Sequence, residues 1–177
     1  MSELHITIGP MFAGKTTDLM NCANNIDTHK KMVINHSSDI LRHYDNTFIT
    51  SHDNIKIPCI SMSYLNTIFE HDISNITHIF INEGQFFPDL FDVIKELLFK
   101  YNKIIYICGL DGDYKQEPFP NCKLLELIPY ASTVKKLTSK CTYCKENAPF
   151  TKRIINSTDV FLVGGAESYQ PVCITHL

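Results

Sequence analysis

The segment "IGPMFAGKTT" (residues 8–17) constrains the fold most, because it contains the spacing Gly9-x-x-x-x-Gly14-Lys15-Thr16. This spacing is typical of a loop whose backbone N–H groups surround the phosphates of a nucleotide, at the start of a helix that adds partial positive charge. Lys15 is expected to reach the outer phosphates, and the Thr16 hydroxyl can bind Mg²⁺. The predicted nucleotide-binding stretch consists of nine consecutive residues: Gly9, Pro10, Met11, Phe12, Ala13, Gly14, Lys15, Thr16 and Thr17.

The surrounding sequence alternates between predicted strands and helices. An incidental glycine turn is disfavoured as an explanation of the motif because "LHITI" (4–8) reads as a strand and Leu19, Ala23 and Ile26 recur at helical spacing after it. Continuous apolar runs predict three more strands, and Pro88 marks the start of a helix whose apolar face is Leu90, Ile94, Leu97 and Leu98. These runs are "KMVIN" (31–35), "HIFIN" (78–82) and "KIIYICG" (103–109).

The predicted fold class is therefore α/β, a phosphate-loop parallel sheet with flanking helices plus a small C-terminal zinc-binding unit. "IKIPCI" (55–60) is expected to be a short edge strand, since Pro58 cannot donate a ladder hydrogen bond, and "YLNTIF" (64–69) a short helix. The polar residues 36–54 are predicted to form a loop. The rhythm changes after "VKKLT" (134–138), so we divide the chain into residues 1–138 and 139–177.

Composition excludes some function classes. The 177 residues are 44% hydrophobic, enough for a sizeable core, and 16 Lys and Arg against 19 Asp and Glu give a formal charge of −3. Basic clusters are missing, which argues against a nucleic-acid partner. The sequence shows no apolar run of membrane-spanning length and no signal peptide, so no membrane partner and a cytoplasmic location are expected. Seven cysteines without a secretory signal favour metal ligands or free thiols over disulfides.

A second group of candidate site residues follows the predicted strand in "IFINEGQFFPD" (79–89). Ligands bind at the carboxyl ends of parallel strands, so Asn82 and Glu83 should both face the site. Glu83 can accept a proton from a hydroxyl, as the base in phosphoryl transfer does. A solvated loop acid is the alternative, which the apolar flanking residues disfavour. Asn82 is neutral, at a position where a carboxylate that faces the metal is usual.

Two ligand pairs near the C-terminus predict a metal site. Cys141-x-x-Cys144 and Cys173-x-x-His176 together supply four tetrahedral ligands for a structural Zn²⁺ without an open position. Cys-x-x-Cys by itself also fits a thioredoxin-like motif, but here it does not follow a strand that leads into a helix. The other cysteines, Cys22, Cys59, Cys108 and Cys122, are interpreted as packing residues. The remaining histidines are interpreted as surface residues, and His52 is a weak candidate for a functional role.

Five segments carry a family resemblance in their identity and order: "GPMFAGKTT", "NEGQFFPD", "GLDGDYKQEPF", "VKKLTSKCTYC" and "VGGAESYQPVC". Over essentially all 177 residues the chain resembles the cellular and poxviral type of thymidine kinase, in a version like those of large DNA viruses. The resemblance implies phosphorylation of the 5′-hydroxyl of thymidine by ATP and Mg²⁺ to give thymidine monophosphate, with Glu83 as the base. It also implies a thymidine pocket and a loop closing over the base, formed by Met11, Phe86, Leu110, Tyr114, Phe119, Val160, Leu162, Gly164 and Tyr169.

The resemblance further implies a homotetramer and feedback inhibition by the triphosphate end product. Asp39, Arg42 and Arg153 match the family only loosely. Three positions depart from its pattern: Tyr114 stands where Phe is common, His176 replaces a cysteine ligand, and Asn82 replaces Asp, which leaves the strength of metal binding open.

Two alternatives to a nucleoside kinase remain at the level of sequence. One is a phosphate-loop ATPase whose zinc knuckle acts on nucleic acid, against which the net charge of −3 argues. The other is a regulatory protein disabled at Asn82, against which Lys15 and Glu83 argue. Among nucleosides, deoxycytidine or an analogue is an alternative co-substrate.

Overall fold

The computed structural model describes residues 1–39, 47–50 and 55–177. The two α-helices in these ranges are α1 (Lys15–Asn24) and α2 (Leu90–Phe99). The strands in chain order are β1 (Glu3–Ile8), β2 (Lys31–His36), β3 (Phe48–Thr50), β4 (Lys56–Pro58), β5 (Ile60–Met62), β6 (His78–Ile81), β7 (Ile104–Gly109), β8 (Thr133–Lys136), β9 (Ser139–Lys140), β10 (Asn147–Ala148), β11 (Phe150–Arg153) and β12 (Tyr169–Val172).

Six of these strands form one parallel sheet in the order β5-β2-β6-β7-β1-β8. Its central members are the strands predicted from continuous apolar runs, and the α/β class is confirmed. In register, Ile34 pairs with Ile81, Ile81 with Ile107, and Ile8 with Gly109. The carboxyl ends of β1, β6 and β7 therefore lie side by side, so the segments that follow them meet at one edge of the sheet.

The sheet buries side chains on both faces. On one face, isoleucines and leucines of β1, β6 and β7 pack with Leu90, Ile94 and Leu97 of α2. On the other, Val33, Phe80 and Cys108 pack against α1 and against the β3–β4 pair. The two helices thus cover opposite faces of the sheet. This is expected for strands in which successive residues, which point to opposite faces, are apolar.

Several local predictions are refined by the structure. Helix α1 ends at Asn24, so Ile26 lies beyond it and packs on the same face from outside the helix. The predicted short helix is a 3₁₀ helix, Leu65–Glu70, and "IKIPCI" divides into β4 and β5. Strand β4 pairs with β3, so the predicted loop 36–54 contains a strand; its residues 40–46 and 51–54 lie outside the described ranges.

The C-terminal part consists of short antiparallel pairs. The main sheet ends with β8, whose four residues are all exposed, and β9 begins three residues later. Strand β9 pairs with β10, and β11 pairs with β12. The division of the chain into two domains stays a prediction. Within the described ranges, neither α-helix is long and apolar enough to cross a membrane.

Candidate active site

The phosphate loop connects β1 to α1 at the carboxyl edge of the sheet. Gly9 adopts φ 150°, and a Cβ placed there would lie 2.3 Å from the carbonyl oxygen of Leu137. Gly14, directly before the helix, adopts φ 82° in the left-handed region. Both positions therefore require glycine, one for close approach and one for backbone angle. Phe12, between them, adopts φ 63° although it carries a side chain.

Lys15 and Thr16 are the first residues of helix α1 at this edge of the sheet. The Lys15 side chain is nearly buried, and its Nζ donates to the Pro10 carbonyl oxygen at 2.6 Å, so it folds back over the loop. The Thr16 hydroxyl donates to Asn82 Oδ1 at 3.2 Å. Thr16 thus connects the start of α1 to the residue that follows β6.

Asn82 is the hub of a buried polar network. Its Oδ1 accepts from Thr16 and from the Cys108 thiol, whose Sγ lies 3.0 Å away, while its Nδ2 donates to Asn35 Oδ1 at 2.9 Å. Burial raises the pKa of the Cys108 thiol to about 12, and the nearby Glu83 carboxylate acts in the same direction. The thiol therefore stays protonated and donates, which favours placing the carbonyl oxygen of Asn82, and not its NH₂, towards Thr16.

Glu83 follows Asn82 in a left-handed conformation, φ 55° and ψ 43°. Non-glycine residues seldom adopt these angles, and such strain is concentrated at functional sites. The fully buried Gln85 donates from Nε2 to Glu83 Oε2 at 2.6 Å and accepts at Oε1 from the Leu110 N–H at 3.0 Å. The Glu83 carboxylate is therefore held in place by a side chain that is itself anchored to the residue after β7.

An open pocket lies beside the loop, with about 360 Å³ of space that includes solvent at its mouth. Its lining includes eight of the nine residues that the resemblance implies for the acceptor: Met11, Phe86, Leu110, Tyr114, Phe119, Val160, Leu162 and Tyr169. Three phenylalanine rings form an aromatic wall, with centroid distances of 6.1 Å between Phe86 and Phe119 and 5.7 Å between Phe119 and Phe161. Such a wall suits a flat ring.

Sequence reasoning did not identify four residues of the pocket lining: Gly112, Asp113, Thr151 and Phe161. Phe161 stands between Val160 and Leu162 and could have been inferred from them. Thr151 lies on β11, and only the folded chain brings it to the loop, where its Oγ1 accepts from the Met11 N–H at 3.0 Å. Gly164 is not in the lining; a Cβ there would lie 2.5 Å from Ser168 Oγ, so it shapes the loop.

Arg153 fastens residues 157–162 to the pocket wall. Its guanidinium carbon lies 3.8 Å from the centre of the Tyr114 ring, and its nitrogens donate to the Ser157 carbonyl oxygen at 3.0 Å and to Tyr169 Oη at 2.7 Å. Tyr169 Oη donates in turn to the Leu162 carbonyl oxygen at 2.7 Å. Arg42 and His52 lie outside the described residues, and only the backbone of Asp39, in a 3₁₀ helix, is described.

The four predicted metal ligands form one cluster. The ligand atoms of Cys141, Cys144, Cys173 and His176 all lie within 4.8 Å of one another. Cys144 and Cys173 sulfurs are 3.6 Å apart, and His176 Nδ1 lies 3.2 and 3.7 Å from the sulfurs of Cys173 and Cys141. Zn–S bonds of about 2.3 Å and Zn–N bonds of about 2.0 Å would give tetrahedral edges of about 3.5–3.8 Å. The cluster lies close to these separations, so its donor set is compatible with zinc.

Comparison with known proteins agrees with this geometry. The sequence profile of the family described as thymidine kinase matches residues 2–177. The chain is 39% identical to the thymidine kinase of Yaba monkey tumor virus (strain VR587), with 96% of the chain and 91% of that protein aligned. It is 36% identical to that of Myxoma virus (strain Uriarra), over 97% and 93%, and 37% identical to that of Oryza sativa subsp. japonica, over 98% and 65%. The chain belongs to the thymidine kinase family.

Proposed function

We propose that the protein transfers the γ-phosphoryl group of ATP to the 5′-hydroxyl of thymidine and so forms thymidine monophosphate for nucleotide salvage. The proposal depends on the location of Met11 at the boundary between two sites. Met11 belongs to the phosphate loop and also lines the 360 Å³ pocket. A phosphoryl donor in the loop and an acceptor in the pocket would therefore lie next to each other, as group transfer requires.

The pocket supports a nucleoside as the acceptor. The phenylalanine wall offers aromatic surface for a base, and Val160, Leu162 and Tyr169 complete the pocket lining beside it. The buried floor at Met11 and Phe119 is apolar and suits a methyl group better than water. Thymidine combines a flat base with such a methyl group.

Glu83 is proposed as the base. It follows β6, one strand removed from β1 and its phosphate loop, and Gln85 fixes the direction of its carboxylate. In the proposed step, the 5′-oxygen attacks the γ-phosphorus while the bond from that phosphorus to the bridging oxygen breaks. The hydroxyl proton moves to the Glu83 carboxylate and ADP leaves.

Thr16 is proposed to hold Mg²⁺, with Asn82 orienting its hydroxyl. The Thr16 hydroxyl gives its proton to Asn82 Oδ1, so its own lone pairs can face a metal. Mg²⁺ bound there would neutralise charge on the β- and γ-phosphates. Lys15 is proposed to leave the Pro10 carbonyl oxygen and reach these phosphates when the nucleotide enters. The proposal includes structural zinc at the Cys141 cluster, on the basis of its four ligands, and a cytoplasmic location. The family resemblance adds a homotetramer and feedback inhibition by the triphosphate end product.

A panel of nucleosides with γ-labelled ATP tests the proposed function. Thymidine, deoxycytidine, deoxyguanosine and thymidine lacking its 5′-hydroxyl are each incubated with the purified protein, and labelled monophosphate is measured. We expect label on thymidine and none on the 5′-deoxy analogue. Single-stranded and duplex DNA form a further arm. ATP hydrolysis that DNA stimulates and thymidine does not would refute the kinase proposal and favour a nucleic-acid-dependent ATPase.

A further inference from the structure

The phosphate loop is contacted by the segment that also carries the first pair of metal ligands. After β8, the Leu137 carbonyl oxygen packs against Gly9 so closely that a Cβ there would lie only 2.3 Å from it. Ser139 follows on β9, two residues before Cys141. Its hydroxyl donates to the Phe12 carbonyl oxygen at 3.1 Å. Thr151 on β11 accepts from the Met11 N–H at 3.0 Å.

These contacts fall on the least favourable part of the loop backbone. Phe12 adopts φ 63°, a left-handed conformation that a residue with a Cβ disfavours. Such a conformation persists only where its surroundings hold it. The two hydrogen bonds act on the peptide groups on either side of the Met11–Phe12 pair, so they are placed to hold this turn.

The direction of the Phe12 carbonyl has a consequence for phosphate binding. In a trans peptide the C=O and the N–H of the next residue point in opposite directions. Because the Phe12 carbonyl oxygen points to Ser139, the Ala13 N–H points away from the C-terminal segment. A phosphate-binding loop presents its amide donors to an anion on its inner side, so this peptide orientation is the one that can direct the Ala13 N–H at a phosphate.

We propose that Ser139 is a positioning residue for phosphate binding. It holds the Phe12–Ala13 peptide in the orientation that directs the Ala13 N–H at the phosphates, and Thr151 restrains the preceding peptide. The C-terminal segment therefore contributes to the donor site as well as to the acceptor pocket. This inference rests on the proposed function only in taking the loop as the site of the ATP phosphates.

Ser139→Ala tests the proposal with little change in volume. Loss of one hydrogen bond is expected to weaken ATP binding by about two- to tenfold, measured by calorimetry without nucleoside. The KM for ATP should rise by a similar factor while the KM for thymidine stays unchanged, and the zinc content should remain that of the unmodified protein. Ser139→Thr keeps the hydroxyl and should keep the original affinity.

Thr142→Val is the matched control, because the Thr142 hydroxyl also bonds a backbone carbonyl of the same segment, that of Pro171, at 3.2 Å. It should leave ATP binding unchanged. An unchanged ATP Kd in Ser139→Ala would overturn the proposal, and so would an equal weakening in Thr142→Val. Since the binding assay needs no phosphoryl transfer, a protein that binds ATP but does not phosphorylate thymidine would refute the proposed function and leave this test intact.

Discussion

The sheet region (residues 1–136) and the C-terminal segment (residues 139–177) are stabilised in different ways. The sheet region buries isoleucine-rich strands under helices on both faces, and Ile34, Ile79 and Ile105 have no exposed surface. Among the described residues of the C-terminal segment, the buried apolar cluster is Cys141, Ala148, Val172 and Cys173, with Phe150 packed against it. Two of these four are cysteines of the metal-ligand cluster.

This difference shows which kind of residue specifies each region. In the sheet region, burial of apolar surface is the dominant favourable term. The C-terminal segment offers too little apolar area for that, and small units of this kind rely on metals or disulfides. Yet this segment supplies Thr151, Val160 and Leu162 to the pocket. Part of the proposed acceptor site therefore depends on a segment that burial alone does not hold.

The largest expected effect follows loss of a metal ligand. Cys144→Ser should lower the melting temperature by about 10 °C or more, because structural zinc contributes several kcal/mol of folding free energy and about 2–4 °C accompanies each kcal/mol in a chain of this size. Hydrogen exchange should increase first in residues 139–177 and later in the sheet strands. Zinc analysis, melting and exchange mass spectrometry measure these changes.

Cys122→Ser is the control for this substitution. Cys122 lies in the sheet region, and its thiol donates to the Gly84 carbonyl oxygen at 3.3 Å, a bond that a serine hydroxyl can replace. It should retain zinc and lose little stability. A metal-free Cys144→Ser protein with unchanged melting and unchanged exchange would contradict the view that the C-terminal segment is held by its ligands.

The second prediction concerns chemistry in the sheet region. Glu83→Gln keeps the shape of the side chain and removes its ability to accept a proton, so kcat should fall by about 10² to 10⁴, the usual contribution of a positioned base. Binding of ATP and thymidine should change little, as should exchange in residues 139–177. Steady-state kinetics measures kcat, and calorimetry measures the binding of ATP and thymidine. Retention of most of the turnover would exclude Glu83 as the base.

The third prediction tests how the C-terminal segment holds the pocket. Arg153→Lys keeps the charge but loses the planar fork that bonds Ser157 and Tyr169 and stacks on Tyr114. We expect a rise of about tenfold in the KM for thymidine, from the loss of about two hydrogen bonds worth 0.5–1.5 kcal/mol each, partly offset by the lysine. The KM for ATP should stay unchanged.

Lys152→Arg is the matched control for Arg153→Lys. The neighbouring Lys152 side chain donates to the His176 carbonyl oxygen at 2.8 Å, away from the pocket, and arginine can keep that bond. It should leave both KM values unchanged. Equal effects of the two substitutions would mean that the loop is sensitive to any change on β11 and that Arg153 has no particular role.

The sequence predicts the sheet region better than the C-terminal segment for a physical reason. The run "IFI" in β6 is buried on both faces, and in "IIYI" of β7 one face is buried and the other half-buried, so period and composition locate the strands. The metal cluster also has a local signature, two pairs at fixed spacing. By contrast, Thr151 reaches Met11 across 140 positions, and Asn35 reaches Asn82 across 47. No local pattern encodes such contacts.

The β3 strand was missed for a related reason. Its polar neighbours favour a loop, and its buried residue, Ile49, becomes visible only when β4 pairs with it and both cover the sheet. Tertiary packing here overrides local propensity. Gln85 shows the same limit, because an isolated glutamine does not reveal that it bridges Glu83 and Leu110.

The smallest expected effect is at Asn82, a neutral residue where the family resemblance implies Asp. A carboxylate there would add negative charge beside Thr16, and Mg²⁺ prefers carboxylate oxygen. Asn82→Asp should therefore lower the half-saturating Mg²⁺ concentration. The structure limits the gain, because Asn82 Nδ2 donates to Asn35 Oδ1 and a carboxylate would face that oxygen at about the same distance, 2.9 Å. To donate a hydrogen bond to that carboxylate, the side-chain amide of Asn35 would have to rotate and give up its present contacts.

We therefore expect a decrease of only a few-fold in the half-saturating Mg²⁺ concentration. This corresponds to a net gain of about one kcal/mol in metal binding, after the repulsion at Asn35 is subtracted. The measurement is a Mg²⁺ titration of thymidine phosphorylation at fixed ATP for both proteins. Asn35→Ala combined with Asn82→Asp removes the opposing oxygen and should lower the Mg²⁺ requirement further than Asn82→Asp alone. If the double substitution and Asn82→Asp give the same curve, Asn35 does not oppose a carboxylate. If all three curves coincide with that of the unmodified protein, residue 82 serves the end of β6 and not the metal.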